Sequence, residues 1–294
     1  MKAVFKRELR FLFGGLTFWG ALALLLTAVG APVFFVNVRG ANPHFADNIL
    51  YFVFGMALFC GLICVDAFPG EHRAKTERAL YALPVRSGGF FLGKLLPRLI
   101  AVLAACAVIA LYPIALALIS PSSSLGEGLV CVVALCALGM LFVSAALCCS
   151  AFSRSAVCAF IAYAALIALS WFLPKAAPLI EARGAISPLT LIALPLFAGL
   201  LAFLVFSDIL IGFIGAAIVL VPVLLNHLLG TDSVVFGFIG RLMRGVSVFD
   251  PLRFFQNGLL DFSAVIDWLA LALPFIAAGI LAVAARRQGK RRAL

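Results

Sequence analysis

Charged side chains are scarce in this chain. Asp, Glu, Lys and Arg make up 12% of its 294 residues, against 65% that are hydrophobic. Soluble domains carry about 25% charge, so a water-exposed globular fold is excluded. Two stretches, 49–65 and 99–119, hold no charge at all. Regular apolar–polar alternation, the mark of a membrane β-barrel strand, is missing too. The apolar runs are continuous and long enough for helices, which need about 20 residues to cross the hydrocarbon layer. The fold class is all-α: a polytopic transmembrane helix bundle.

Catalytic signatures are also lacking. The chain has no P-loop, HExxH or GxSxG motif and no paired carboxylates at useful spacing. The eight cysteines all lie in apolar runs, without a CxxC pair or a nearby histidine at metal-ligand spacing, so they read as small buried thiols. Of the three histidines, His44 and His72 fall in loops and His227 near the end of an apolar run. Nothing resembles a chain of intramembrane carboxylates, an internal repeat or a sequon. The chain is therefore not expected to be an enzyme or to hold a cofactor or metal of its own.

The net charge of +10 reflects topology rather than nucleic-acid binding, because cytoplasmic loops of membrane proteins are enriched in Lys and Arg. Eight apolar segments can be drawn: 16–36, 49–68, 95–119, 125–150, 156–173, 189–206, 209–229 and 264–285. Only Ser207 and Asp208 separate the sixth from the seventh, so six full crossings are the alternative. Both counts put the two termini on one side. With residues 1–15, 66–98, 151–155, 207–208 and 286–294 assigned to one face, that face collects 16 of the 22 Lys and Arg residues. The bias places both termini in the cytoplasm and the chain in the cell (inner or plasma) membrane. The segment 16–36 is too long for a signal-peptide core and reads as an uncleaved first span.

Residues 1–13 form an amphipathic helix. Val4, Phe5, Leu9, Phe11 and Leu12 share one side, and Lys2, Lys6, Arg7 and Arg10 the other. Such a helix lies among lipid headgroups. Glu8 falls inside the apolar arc, where either a Lys from a neighbouring element or snorkelling toward water must satisfy it. Residues 230–263 mix apolar and charged side chains and should lie on, or dip into, the outer interface.

The densest charge lies between Asp66 and Arg98, flanked by uncharged spans. A loop of this length and charge reads as a water-facing docking element. Within it, Glu71 to Leu83 suits a short helix: Pro69 and Gly70 precede it, Pro84 stops it, and Glu71 with Lys75 forms a favourable i,i+4 pair. Glu71, Arg73, Thr76, Glu77, Leu80, Pro84 and Val85, followed by Gly93 and Lys94, form a pattern that resembles the first cytosolic loop of ABC type-2 exporter permeases. Lys75 stands where many of these have Gly. Near the other end, Phe254, Asn257, Gly258, Asp261 and Phe262, then a span closing on Arg286 and Arg287, resemble the final outer segment and last span of the gliding-motility-type subgroup. The opening Phe5–Leu9 fits that subgroup's connecting helix.

The resemblance implies a single permease domain over 1–294, with an interfacial helix at 1–13, a cytosolic coupling loop at 69–94 and an outer gate segment at 230–263. Two permease subunits, identical or sister chains, would enclose a pathway among membrane lipids. Two separate ABC ATPase subunits would carry the ATP and Mg. Glu71, Arg73, Lys75, Thr76, Glu77, Arg78, Leu80, Pro84 and Val85 would couple the permease to them. Phe254, Asn257, Gly258 and Asp261 would serve the outer gate. The competing readings are an ATPase-independent membrane anchor or assembly protein, and a secondary transporter. A secondary transporter should show inverted repeats and mid-membrane polar residues, and this sequence shows neither clearly. Nucleic acid is not expected as a partner, and the transported substrate is not encoded in any motif.

Overall fold

A computed structural model describes residues 2–74, 87–119, 124–181 and 248–291, with short pieces at 195–196, 199, 214–217 and 220–221. The described residues are helical and contain no strand. Among them, five helices are long and apolar enough to cross a membrane: Leu16–Val38, Phe45–Arg73, Ser87–Ile119, Leu125–Phe152 and Phe262–Arg287. Ala156–Phe172 is a shorter apolar helix. The choice between six and eight spans turns on 189–229, which lie mostly outside the described residues.

The chain divides into two units, residues 1–156 with 251–294, and residues 157–250. The first unit opens with α1 (Lys2–Gly14), which ends at an elbow where Gly15 is extended and its N–H reaches Leu12 O at 3.3 Å. α2 (Leu16–Pro32) is the first span. Directly after Pro32 it widens into a π-helical turn, Val33–Val38; proline removes one ladder hydrogen bond, a common origin of such irregularities. α3 (Ile49–Cys64) returns, and α4 (Pro69–Arg73) continues it after a turn. Ser150 stitches that turn: its hydroxyl donates to Val65 O at 3.1 Å and accepts from Phe68 N–H at 3.3 Å. Pro69 then starts α4 at a position where its missing N–H costs nothing.

The third span is built from α5 (Ser87–Ile109) and α6 (Leu111–Ile119), the fourth from α7 (Leu125–Phe152). α7 is the axis of the unit, with 72% of its most apolar window buried, against 28% for α2 and for the last span. It packs against α3, α5 and the last span. Close approach depends on Gly139: a Cβ there would meet Val102 Cγ1 at 2.5 Å. Cysteine serves the same economy of size, since the Cys60 and Cys64 thiols lie 3.7 Å and 3.9 Å from the Gly139 and Val143 carbonyls. Ser153 ends α7, and Arg286 donates to its carbonyl at 2.8 Å, a cation at a helix C-terminus.

In the second unit, α8 (Ala156–Glu181) carries Trp171, which meets Phe249 edge-on at 5.0 Å and holds Lys175 Nζ 3.5 Å over its ring face. Ser170 Oγ accepts from Val248 N–H at 3.2 Å. Within the first unit, α9 (Leu252–Gln256) leads into α10 (Phe262–Arg291), the last span.

The third span begins at Ser87 rather than near residue 95. Lys94 and Arg98 lie inside α5 and are buried, at 1% and 4% exposure. The expectation of one water-facing loop from Asp66 to Arg98 is thereby corrected. Its later part is helix within the bundle, and Glu71, Lys94 and Arg98 turn inward. Hydropathy alone penalises these cations because it does not count the acids that neutralise them.

Candidate functional site

Four charged side chains converge where α1, α4 and α5 meet, at the end of the bundle that also holds Arg286. α1 supplies Glu8, α4 supplies Glu71, and α5 supplies Lys94 and Arg98 one turn apart. Lys94 Nζ donates to Glu71 Oε1 at 2.7 Å, to Glu8 Oε1 at 3.1 Å and to Ala67 O at 2.7 Å. Arg98 Nη1 donates to Glu8 Oε2 at 3.3 Å and to Lys94 O at 2.7 Å, and its Nε to Ile63 O at 3.2 Å. The cluster is balanced, two acids against two bases. Lys94 uses all three of its donors. Phe68 and Phe90 flank its ammonium at 5.1 Å and 5.5 Å from their ring centroids.

Local sequence explains the convergence. Lys94 and Arg98 are i and i+4 on α5, so they share one helical face. Gly93 lets α1 come close, since a Cβ there would meet Val4 Cγ1 at 3.1 Å. Burial raises the proton affinity of Glu8, but Lys94 and Arg98 together outweigh that and hold its carboxyl below the ordinary range. Glu8 therefore remains an acceptor. A buried charge left without its partner costs about 3–5 kcal/mol, so the four residues hold α1, α4 and α5 as one piece.

The residues expected to contact an ATPase divide between described and undescribed positions. Glu71 turns inward, at 9% exposure, and meets Lys94. Arg73 is exposed and pairs with Asp66. Arg7, half exposed, approaches Glu71 at 3.9 Å. Lys75, Thr76, Glu77, Arg78, Leu80, Pro84 and Val85 lie outside the described residues. So does the greater part of the expected helix 71–83; the described α4 starts at Pro69, two residues before that expectation, and closes at Arg73 with Ala74 as its C-cap. Lys94 and Arg98 were not expected in a buried cluster. Glu8 was the signal that could have found them, an acid within an apolar arc for which a lysine from a neighbouring element was one of two expected outcomes. Val4 and Leu12 are buried beside Glu8, whereas Phe11, expected on the same side, is 75% exposed.

The far end of the first unit holds a second polar arrangement. Asn37, in the π-helical turn, donates to the carbonyls of Asn42 and His44, each at 2.9 Å, and accepts from Asn48 Nδ2 at 2.7 Å. His44 Nδ1 lies 3.1 Å from Glu127 Oε2. The Glu127 hydrogen bond and charge raise the His44 proton affinity. Glu127 also leans on the turn before α10: Gly258 has φ +70°, and a Cβ there would meet Glu127 Cγ at 2.6 Å. Asp261 caps α10, accepting from Ser263 N–H at 2.9 Å and Ser263 Oγ at 2.7 Å; these bonds lower its pKa. Of the expected gate residues, Phe254 is 51% exposed on α9, Asn257 closes α9, and Gly258 and Asp261 shape the turn. The rest of 230–263, up to residue 247, is outside the described residues.

A family model described as ABC-2 family transporter protein matches residues 22–183, more than half of the chain. The match runs from α2 into α8 and so includes Glu71, Lys94 and Arg98, while Glu8 and residues 254–287 fall outside it. No curated protein and no solved structure matches the chain.

Proposed function

The chain belongs to the ABC-2 family of transporter proteins, and from that premise we propose that it is the permease subunit of an ATP-driven exporter of the gliding-motility type. Membrane permeases of this family generally work with ABC ATPases. In this reading two permease subunits enclose the pathway, two ATPases dock at the basic end, and ATP and Mg stay on the ATPases. The excess of Lys and Arg at that end favours a cytoplasmic location for it and for both termini.

The observation that supports coupling is the Glu71–Lys94 contact of 2.7 Å. It fastens the start of the docking segment to the third span and, through Glu8, to α1. A force on residues 74–86 would then pass to α3, α5 and α1 together. Glu71 acts here as a positioning residue. Arg73, Lys75, Thr76, Glu77 and Arg78 supply the polar seat for the ATPase, with Leu80, Pro84 and Val85 as its apolar part. At the far end, Phe254, Asn257, Gly258 and Asp261 belong to the outer gate. The test is Glu77→Lys in vesicles reconstituted with the partner ATPase. Membrane insertion and ATP hydrolysis should persist while transport is lost; normal transport would contradict the coupling assignment.

A further inference from the structure

We propose that the outward face of α1 binds anionic phospholipid, with Lys6 and Arg10 clamping the headgroup phosphate. Lys6, Arg7 and Arg10 are exposed on α1. The only acid of α1, Glu8, sits two residues from both Lys6 and Arg10, about 200° round the helix. It is spent on Lys94 and Arg98, and Arg7 leans toward Glu71. Among the described residues no acid pairs with Lys6 or Arg10. These two are i and i+4, a like-charge spacing that is unfavourable unless an anion sits between them.

The surroundings specify a lipid source for that anion. Phe11 follows Arg10 on α1, and Leu16 and Trp19 lie at the start of the first span; the three are 75%, 87% and 56% exposed. Trp19 Nε1 donates to Phe13 O at 3.0 Å across the elbow, which sets the indole at the junction of α1 with the first span. Tryptophan concentrates at the membrane–water boundary. Cations beside exposed aromatic and aliphatic side chains at that depth match a headgroup above acyl chains. A soluble anion would leave the apolar part of the face in water. The inference needs only that the chain is embedded in a membrane, and it stands whether or not the chain transports anything.

The test is native mass spectrometry of the full chain in mild detergent, titrated with phosphatidylglycerol or phosphatidylcholine. The wild-type chain should retain phosphatidylglycerol in preference to phosphatidylcholine. A basic side chain near an anionic surface contributes about fivefold in affinity, so Lys6→Gln with Arg10→Gln should weaken phosphatidylglycerol binding by about 25-fold. Lys6→Arg with Arg10→Lys should bind as the wild type does. Unchanged unfolding temperature in the Gln variant shows that the loss is local, and a fall in that temperature hands the decision to salt titration of the wild type, whose phosphatidylglycerol retention should drop steeply with ionic strength. Equal retention of both lipids would overturn the proposal. So would displacement of the lipid by inorganic phosphate alone, or capture of a cytosolic ATPase through Lys6 and Arg10.

Discussion

Lys94, in the third span, donates to Glu8 of the interfacial helix at 3.1 Å, joining residues 86 positions apart in a site from which both side chains exclude water. Its third donor reaches a backbone carbonyl, so the ammonium has no capacity left for solvent. Removing Lys94 therefore takes a buried donor from two carboxylates at once, leaving Glu8 with Arg98 at 3.3 Å and Glu71 with Arg7 at 3.9 Å. Lys94→Met should destabilise the chain by about 3–5 kcal/mol, read as a shift in its unfolding curve in detergent. Adding Glu8→Gln to that variant should recover part of the loss, with a coupling of about 0.5–3 kcal/mol in the double-mutant cycle. Additive penalties would mean that the two residues do not sense each other.

Acid should release α1. The folded Glu8 carboxyl titrates below its ordinary value of 4.5, so its contribution is complete above that value and disappears as pH falls through the folded pKa. Protection of residues 2–14 against hydrogen exchange should hold from neutral pH down to the ordinary glutamate range and fall below it. Glu8→Gln should remove that acid-dependent step.

The His44–Glu127 contact should behave in the opposite sense. His44 is held above its ordinary 6.5, so its contribution is present below that value and is lost as pH rises through the raised folded pKa. NMR titration of the His44 ring should give a raised pKa in the wild type, which falls in Glu127→Gln. An unchanged titration in that variant would remove Glu127 as the cause.

Gly139 marks a close approach of α7 to α5. Val102 is buried and branched at Cβ, so it has little freedom to withdraw from a methyl 2.5 Å away. Gly139→Ala should cost about 1–3 kcal/mol through overpacking, measured by unfolding in detergent. At Gly258, Ala would meet both the positive φ and the Glu127 side chain, and should displace Glu127 enough to lower the His44 pKa.

The helical spans were legible because apolar length and composition decide them without knowledge of neighbours. The first, fourth and last spans come out close to the boundaries read from hydropathy. The start of α5 was not legible in the same way: the Lys94 and Arg98 charges look water-seeking until Glu8 and Glu71 are brought to them from elsewhere in the chain. Glu8 itself was legible as an anomaly, an acid in an apolar arc, and a lysine partner was one of the two outcomes expected for it. Phe11 was misplaced because α1 is not two-sided. One face meets the bundle through Val4, Glu8 and Leu12, and another presents Lys6 and Arg10. The Asn37–Asn48 pair carried no pattern at all, since it depends on the π-helical turn that follows Pro32.

A separate ATPase docked at the basic end should copurify with the full chain from its native membrane in mild detergent. Mass spectrometry of that preparation should recover a P-loop ATPase, and should lose it from a folded, membrane-inserted variant lacking residues 74–86. An intact preparation that brings down no ATPase would contradict this docking and favour an anchor protein or a secondary transporter.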